Sequence, residues 1–433
     1  MTPAYPLCLG ARRRLAVHLT GLALYAATGA CAPASDAGAD GAGWADTATP
    51  EAGTPLPEEP PVPREAPPPR DASASEGASV RPDAGLPDAS ALDDAGSRIG
   101  GNPGGNIDGA AQAPGTCAPD SAAGDRCAVA RLDAAKPPTA WSLAGDLGAH
   151  DPALIAQDGM FYLWQTGPRL PAKTSSDLRA WRGAGSAFGT ANPAWIAKEV
   201  PGATDLWAPD VSFFGGQYHL YYSASTFGSN ASCIGHATRA SLTSGSWTDR
   251  GSVLCSNHGS NDDWNAIDPN LSVDQQGEPW LVFGSFWSGI KAVALKPDGS
   301  RKDGEVHALA SRNGGAIEGP FVVRRCGYYY LFVSFDRCCN GADSTYNLRV
   351  GRSRDLLGPY VDRQGKEMMQ GGGTLLLEGA GRYRGPGHNA VLFRDAQAFN
   401  VYHAYDANAG GAPTLRVAEL VWDGEGWPVS GGP

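Results

Sequence analysis

The chain has 433 residues and a formal charge of −11, a length that admits two or three average domains. The charge is uneven: residues 1–31 carry +3, residues 32–135 carry −11 and residues 136–433 carry only −3. No basic excess exists to neutralise phosphates, which excludes nucleic acid as a principal ligand. No second apolar run approaches ~20 residues, which excludes a multi-span membrane protein.

At the N-terminus, Arg12, Arg13 and Arg14 precede an apolar stretch from Leu15 to Ala30 and then Cys31. A basic segment, a short apolar segment and small residues read as a secretory signal over residues 1–31. Thr28-Gly29-Ala30-Cys31 resembles a bacterial lipobox, with Thr28 where Leu is usual. Lipidation at Cys31 is therefore expected, with ordinary signal cleavage as the alternative. A lipidated Cys31 would anchor an exported protein to a membrane surface.

Residues 32–135 read as a disordered linker. Pro and Gly make up 29 of its 104 residues and Trp44 is its only aromatic residue. Such a segment cannot bury enough surface to offset its ordering entropy. Seven cysteines follow Cys31, at 117, 127, 233, 255, 326, 338 and 339. Cys117–Cys127, Cys233–Cys255, and Cys326 with Cys338 or Cys339 are the expected bridges, and spacing alone leaves the connectivity open. A zinc site is the alternative, but no C-x-x-C pair supports it.

From about Ala149 the composition turns to Tyr, Phe, Trp and Val between Gly turns. One pattern recurs five times: a polar residue, an apolar strand, a turn and an aromatic-rich strand. The leading polar residues are Asp151, Asp210, Asp268, Glu318 and Asn389, spaced 59, 58, 50 and 71 residues apart. A unit of that length holds four short strands, and five such units predict an all-β, five-bladed β-propeller over residues 136–433. If the first strand of each unit lines the central channel, the five leading residues meet at one mouth. Four carboxylates there would raise one another's proton affinity. That arrangement suits either an acid–base pair or a metal cage.

The ordered motifs carry a resemblance. They include His150-Asp151-Pro152, Leu206-Trp207-Ala208-Pro209-Asp210, Trp264-Asn265-Ala266-Ile267-Asp268-Pro269, Gly284-Ser285-Phe286-Trp287, Ala316-Ile317-Glu318, Asp343-Ser344-Thr345-Tyr346 and Gly387-His388-Asn389. Together they resemble the endo-1,5-α-L-arabinanases of glycoside hydrolase family 43, over roughly residues 148–428. The resemblance implies inverting hydrolysis of internal α-1,5-L-arabinofuranosidic bonds in arabinan, a pectin side chain. It implies Asp151 as general base, Glu318 as general acid and Asp268 as the carboxylate that tunes the acid.

It further implies substrate contacts at Trp207, Asp210, Phe227, Asn265, Ser285 and Trp287. His388 matches the position that holds a metal, usually calcium through bridging waters, in the central channel. A monomer, secreted or on the cell surface, is expected. The polar loop 255–263 precedes the Asp268 strand and is expected to shape the cleft. An exo-acting arabinofuranosidase or β-xylosidase of the same family would use the same carboxylates. A glycan-binding propeller without activity is the reading from a different class.

Overall fold

The computed structural model describes residues 129–433. The expected signal segment, most of the linker, and Cys117 and Cys127 lie outside the described residues. Blade 1 comprises β1 (Ala144–Gly145), β2 (Ala153–Gln157), β3 (Met160–Trp164), β4 (Pro171–Ser175) and β5 (Ala180–Ser186). A short helix, α1 (Ala194–Glu199), leads to blade 2, formed by β6 (Trp207–Phe214), β7 (Gln217–Ala224), β8 (Ser232–Arg239) and β9 (Thr248–Ser256). Blade 3 contains β10 (Asn270–Val273), β11 (Pro279–Phe283), β12 (Ile290–Ala294) and β13 (His307–Ala310). Blade 4 contains β14 (Ile317–Arg325), β15 (Tyr328–Phe335), β16 (Asn347–Ser353) and β17 (Thr374–Leu377). Blade 5 contains β18 (Tyr383–Arg394), β19 (Gln397–Asp406), β20 (Ala412–Trp422) and β21 (Pro428–Ser430).

Within each blade the strands run as an antiparallel meander, and β1 adds to the outer strand β5 in parallel. The first strands of the five blades, β2, β6, β10, β14 and β18, neighbour one another around a closed ring and so line the axis. This is the expected five-bladed propeller.

The second strands show why the aromatic runs lack a strand-like alternation. In β7, Tyr218 to Ala224 are all buried, because each blade is covered on both faces by its neighbours. The apolar clusters lie between successive blades. Trp164 and Leu170 of blade 1 pack with Tyr218 and Leu220 of blade 2. Ile234 and Leu254 meet Leu271 and Leu281. Val282 and Ile290 meet Val322 and Leu331. Val323 and Phe332 meet Leu420 and Trp422.

Ring closure uses the N-terminal segment. Trp141 N–H donates to Val417 O at 2.8 Å and Glu419 N–H to Thr139 O at 2.9 Å, so this segment extends the outer edge of blade 5 along β20. It then reaches blade 1, where Ala144 pairs with Ala180 and Gly145 with Trp181. Residues on the linker side of the expected boundary also join this edge: Leu132 N–H donates to Trp422 O at 2.8 Å and Trp422 N–H to Ala130 O at 2.7 Å. The propeller's ordered edge thus begins ahead of residue 136.

Two disulfide expectations resolve differently. Cys233 pairs with Cys255 across β8 and β9, as expected. Cys338 pairs with its neighbour Cys339, which corrects the pairing of either with Cys326. Cys326 sits at the turn before β15, and Cys338 follows the far end of that eight-residue strand. At ~3.3 Å per residue the two ends are roughly 23 Å apart, far beyond the ~7 Å Cα limit of a disulfide. Cys326 is itself disulfide-bonded.

Trp141 packs edge-on against Phe399 with centroids 4.7 Å apart, and the Arg179 guanidinium covers it at 3.9 Å. Trp141→Ala should lower the unfolding free energy in urea by about 2–3 kcal/mol. A loss below about 0.5 kcal/mol, the range of a surface substitution, would show that the closing segment adds little to the ring.

Candidate active site

A left-handed residue lies within or just before the inner strand of every blade. Asp151, Ala208, Asp268, Gly319 and His388 have φ of 49°, 43°, 57°, 59° and 48°. Proline follows the first four, at 152, 209, 269 and 320. These five are the equivalent positions of the repeat, and they correct the register expected from the leading polar residues. Glu318 lies one residue before its equivalent position. Asn389 lies one after, and donates from Nδ2 to Asn400 Oδ1 at 2.9 Å.

Asp210 lies two residues beyond Ala208 and thus one pleat further along the strand. It is buried and accepts hydrogen bonds from Asn270 Nδ2 at 2.9 Å, Leu271 N–H at 3.1 Å and Ser212 Oγ at 2.9 Å. Burial pushes its carboxyl up to about 6 in spite of those three donors. Asn270 Oδ1 accepts in turn from Val322 N–H at 2.8 Å. The Asp210 carboxylate is therefore spent on linking blades 2, 3 and 4 rather than facing a substrate.

Three carboxylates remain together. The Asp151 carboxylate is held by three neighbours: His150 Nδ1 at 2.8 Å, Thr166 Oγ, which donates at 2.6 Å, and His388 Nδ1 at 3.2 Å. Burial alone would push its carboxyl up. The charge of His150, then that of His388, and the hydrogen bond from His150 outweigh burial and hold it well below the ordinary carboxylate range. Burial also opposes charge on His150, but Asp151 overrides this and raises it.

His150 Nε2 meets the Tyr405 hydroxyl at 2.9 Å, and that hydroxyl accepts from Cys339 N–H at 2.7 Å. The disulfide loop is thereby wired through Tyr405 and His150 to Asp151. His403 stacks on His150 with centroids 4.0 Å apart. Its Nδ1 accepts from Asp151 N–H at 3.1 Å, and burial keeps the ring neutral.

Glu318 and Asp268 are buried, and Asp268 lies within reach of the charge of Glu318. Burial is the first cause of the upward shift of both. Asp268 is raised further by the charge of Glu318 and then of Asp151, against one opposing bond in which Gly319 N–H donates to its Oδ2 at 3.0 Å. Glu318 is raised further by Asp151, against donation from the hydroxyls of Ser285, at 2.8 Å to Oε2, and Tyr346. Both carboxyls are thus biased toward holding a proton. For Glu318, burial comes ahead of any neighbouring charge in that upward shift. Tyr346 is itself fully buried and lies flat against Gly387, where a Cβ would sit 1.9 Å from its Cδ1. Only glycine at 387 leaves room for that ring beside Glu318.

The rim is aromatic. Trp207 is half-buried and Phe227 is 83% exposed, with ring centroids 4.9 Å apart at 43°. Phe286 and Trp287 are consecutive left-handed residues with φ of 50° and 39°, a strained pair of the kind that clusters at functional sites. Phe286 is exposed and Trp287 half-buried. Ser288 fixes this loop, its N–H donating to Asp263 O at 2.8 Å and its hydroxyl to Asp263 Oδ1 at 3.1 Å. The polar loop 255–263 thus buttresses the aromatic edge. Asn265 is buried, and its Oδ1 has no protein partner. Ser285 is buried and committed to Glu318, not turned to solvent.

As a metal site the donor set is sparse. Among the described residues, donor atoms converge at Cys233, Cys255 and His258, and at His150, Asp151 and His403. The first set has its two sulfurs tied in a disulfide. The second surrounds a carboxylate already hydrogen-bonded. His388 belongs to neither set, and its Nδ1 faces Asp151. It can offer a cation only Nε2, a single nitrogen, whereas calcium prefers six to eight oxygens. These residues fit only a cation held mainly by water.

Residues 146–428 match Glycosyl hydrolases family 43. The chain is 43% identical over 295 residues to the extracellular endo-α-(1→5)-L-arabinanase 1 of Bacillus subtilis (strain 168), covering 66% of this chain and 89% of that protein. It is 42% identical over 304 residues to the extracellular exo-α-(1→5)-L-arabinofuranosidase ArbA of Cellvibrio japonicus (strain Ueda107), covering 66% and 87%. The solved endo-arabinanase of Bacillus licheniformis superposes with a TM-score of 0.64 at 46% identity, over 67% of this chain and 99% of that one. The α-L-arabinanase of Cellvibrio cellulosa, solved with arabinohexaose, superposes at 0.63 with 40% identity, over 66% and 96%. The chain belongs to glycoside hydrolase family 43. It is a glycoside hydrolase, built as the propeller its repeats predict.

The carboxyl shifts have a kinetic consequence. A general acid must carry its proton, so kcat/KM for glycoside hydrolysis should fall as pH rises through the raised apparent pKa of the Asp268–Glu318 pair. If Asp151 serves as the base, its lowered carboxyl should hold activity into acid well below the ordinary carboxylate range. Asp268→Asn removes one of two like charges and should move the alkaline limb of the residual activity to lower pH. A limb that stays in place would show that Asp268 does not tune the acid.

Proposed function

We propose that this enzyme cleaves internal α-1,5-L-arabinofuranosidic bonds of arabinan with inversion. The observation that carries the proposal is the buried trio Asp151, Asp268 and Glu318 at the axis, in which Asp151 has His150, Thr166 and His388 around its carboxylate while burial raises Asp268 and Glu318. An aromatic rim on which sugar faces can pack flanks it at Trp207, Phe227, Phe286 and Trp287. In the reaction, water attacks the anomeric carbon and gives a proton to Asp151. The bond from that carbon to the glycosidic oxygen breaks, its electron pair stays on the oxygen, and Glu318 supplies the proton. Asp268 orients the sugar and keeps the proton on the pair. Inversion needs room for the water, with the acid and base carboxyls about 6.5–9.5 Å apart.

The names of the bacterial relatives favour an exported enzyme on this polymer. Anchoring through a lipid on Cys31 belongs to the same proposal. So does a hydrated calcium ion at His388 Nε2, which would add fixed positive charge to the channel. Because one relative is named for exo action, cleavage from chain ends is the second reading.

The full chain with debranched arabinan should yield mixed short oligosaccharides and a rapid fall in viscosity. Release of a single product with viscosity unchanged would replace the endo reading by the exo one. Absence of turnover on arabinan, xylan and aryl glycosides would remove the hydrolase proposal. Glu318→Ala should lower kcat on arabinan by about 10²–10⁴-fold, the usual worth of general acid catalysis, with the fold intact by circular dichroism. Full activity in that variant would remove Glu318 as the acid. Chelation with EDTA should lower the thermal transition, and added calcium should restore it. An unchanged transition would remove the ion.

A further inference from the structure

The left-handed residues in or just before the five inner strands expose a backbone N–H toward the preceding blade. At four junctions, what accepts it is a side chain from the end of that blade's second strand. Ala208 N–H donates to Thr166 Oγ at 2.8 Å, Asp268 N–H to Ser223 Oγ at 2.9 Å, His388 N–H to Ser334 Oγ at 2.8 Å, and Asp151 N–H to His403 Nδ1 at 3.1 Å. The fifth junction, from blade 3 to blade 4, has a serine at the corresponding place, Ser285, just beyond β11. There the bond is not made. Ser285 Oγ donates instead to Glu318 Oε2 at 2.8 Å, and Gly319 N–H goes to Asp268 Oδ2 at 3.0 Å.

Resting on the proposed role of Glu318 as general acid, we propose that Ser285 is a blade latch converted into the positioning residue of that acid. Its donation to Oε2 fixes the rotamer of the carboxyl that gives its proton to the glycosidic oxygen. The side chain is buried at 3% exposure, so its hydroxyl has no solvent to turn to. A main-chain bond next to it locks the same pair of segments: Phe286 N–H donates to Ile317 O at 2.8 Å. The strained Phe286–Trp287 rim and the acid are thereby held as one unit. Because Gly319 follows Glu318 directly, a shift of the acid also moves the donor that holds Asp268.

The test uses leaving-group dependence. A natural arabinan bond needs protonation to leave, whereas a 4-nitrophenolate does not. Ser285→Ala should lower kcat on debranched arabinan by about tenfold or more, a part of the 10²–10⁴-fold that general acid catalysis supplies. On 4-nitrophenyl α-1,5-L-arabinobioside, kcat should change by less than about threefold, with KM on both substrates and the thermal transition close to those of the parent enzyme.

Two outcomes overturn the proposal. A rise in KM on both substrates with kcat retained would make Ser285 a sugar ligand. An equal fall of kcat on both, with a lowered thermal transition, would make it a latch like the other four. Glu318→Gln, measured beside it, separates the two claims. It should show the same leaving-group contrast more strongly, and if it shows none, the acid assignment fails along with its positioning residue.

Discussion

The left-handed kink within or just before each inner strand is the constraint on which the rest of the structure depends. A non-glycine residue there costs roughly 1–2 kcal/mol, and four of the five are not glycine. The kink aims one backbone N–H out of the strand ladder and at the neighbouring blade. A hydroxyl or imidazole accepts it at four junctions and a carboxylate at the fifth. One local conformation thus joins the blades near the axis and turns the residues beside it into the mouth of the channel. The apolar interfaces hold the blades together further out, but they do not aim any side chain at the axis.

That aim explains how three carboxylates survive in one buried place. Like charges so close would all be driven toward protonation. The structure separates their fates by giving them different partners. Asp151 is ringed by His150, His388 and a Thr166 hydroxyl and stays ionised. Asp268 and Glu318 receive fewer donors and are raised by burial. Carboxyls pushed in opposite directions thus arise from the same chemical group through environment alone, which is what the proposed base and acid require.

The architecture was legible in the sequence because both faces of a blade are buried. Runs such as Tyr218 to Tyr222 and Tyr328 to Phe332 therefore stand out without alternation, and their spacing counts the blades. The register was less legible. The residue at the kink changes from Asp to Ala, Asp, Gly and His, so aligning on polar residues selected Asp210 and Asn389, which do other work. The constant signal is the proline that follows, at 152, 209, 269 and 320, and only the fifth blade lacks it.

Tyr346 was visible within Asp343-Ser344-Thr345-Tyr346 but has no role that spacing can suggest. Its place beside Glu318 is set by β16 and by the bare Cα of Gly387. His403 was hidden in an apolar strand, where a histidine reads as ordinary core. The Cys338–Cys339 pair was counted with Cys326 because sequence distance does not show that an extended strand separates them.

The stereochemistry of the first product tests the central claim most directly. Proton NMR, followed in real time on arabino-oligosaccharide with the full chain, reports which anomer forms before mutarotation mixes the two. An ionised Asp151 activating water on the face opposite Glu318 predicts that the β-anomer of the new reducing end appears first. The α-anomer appearing first would mean a covalent intermediate on one of these carboxylates, and would contradict the division into base and acid drawn from their partners.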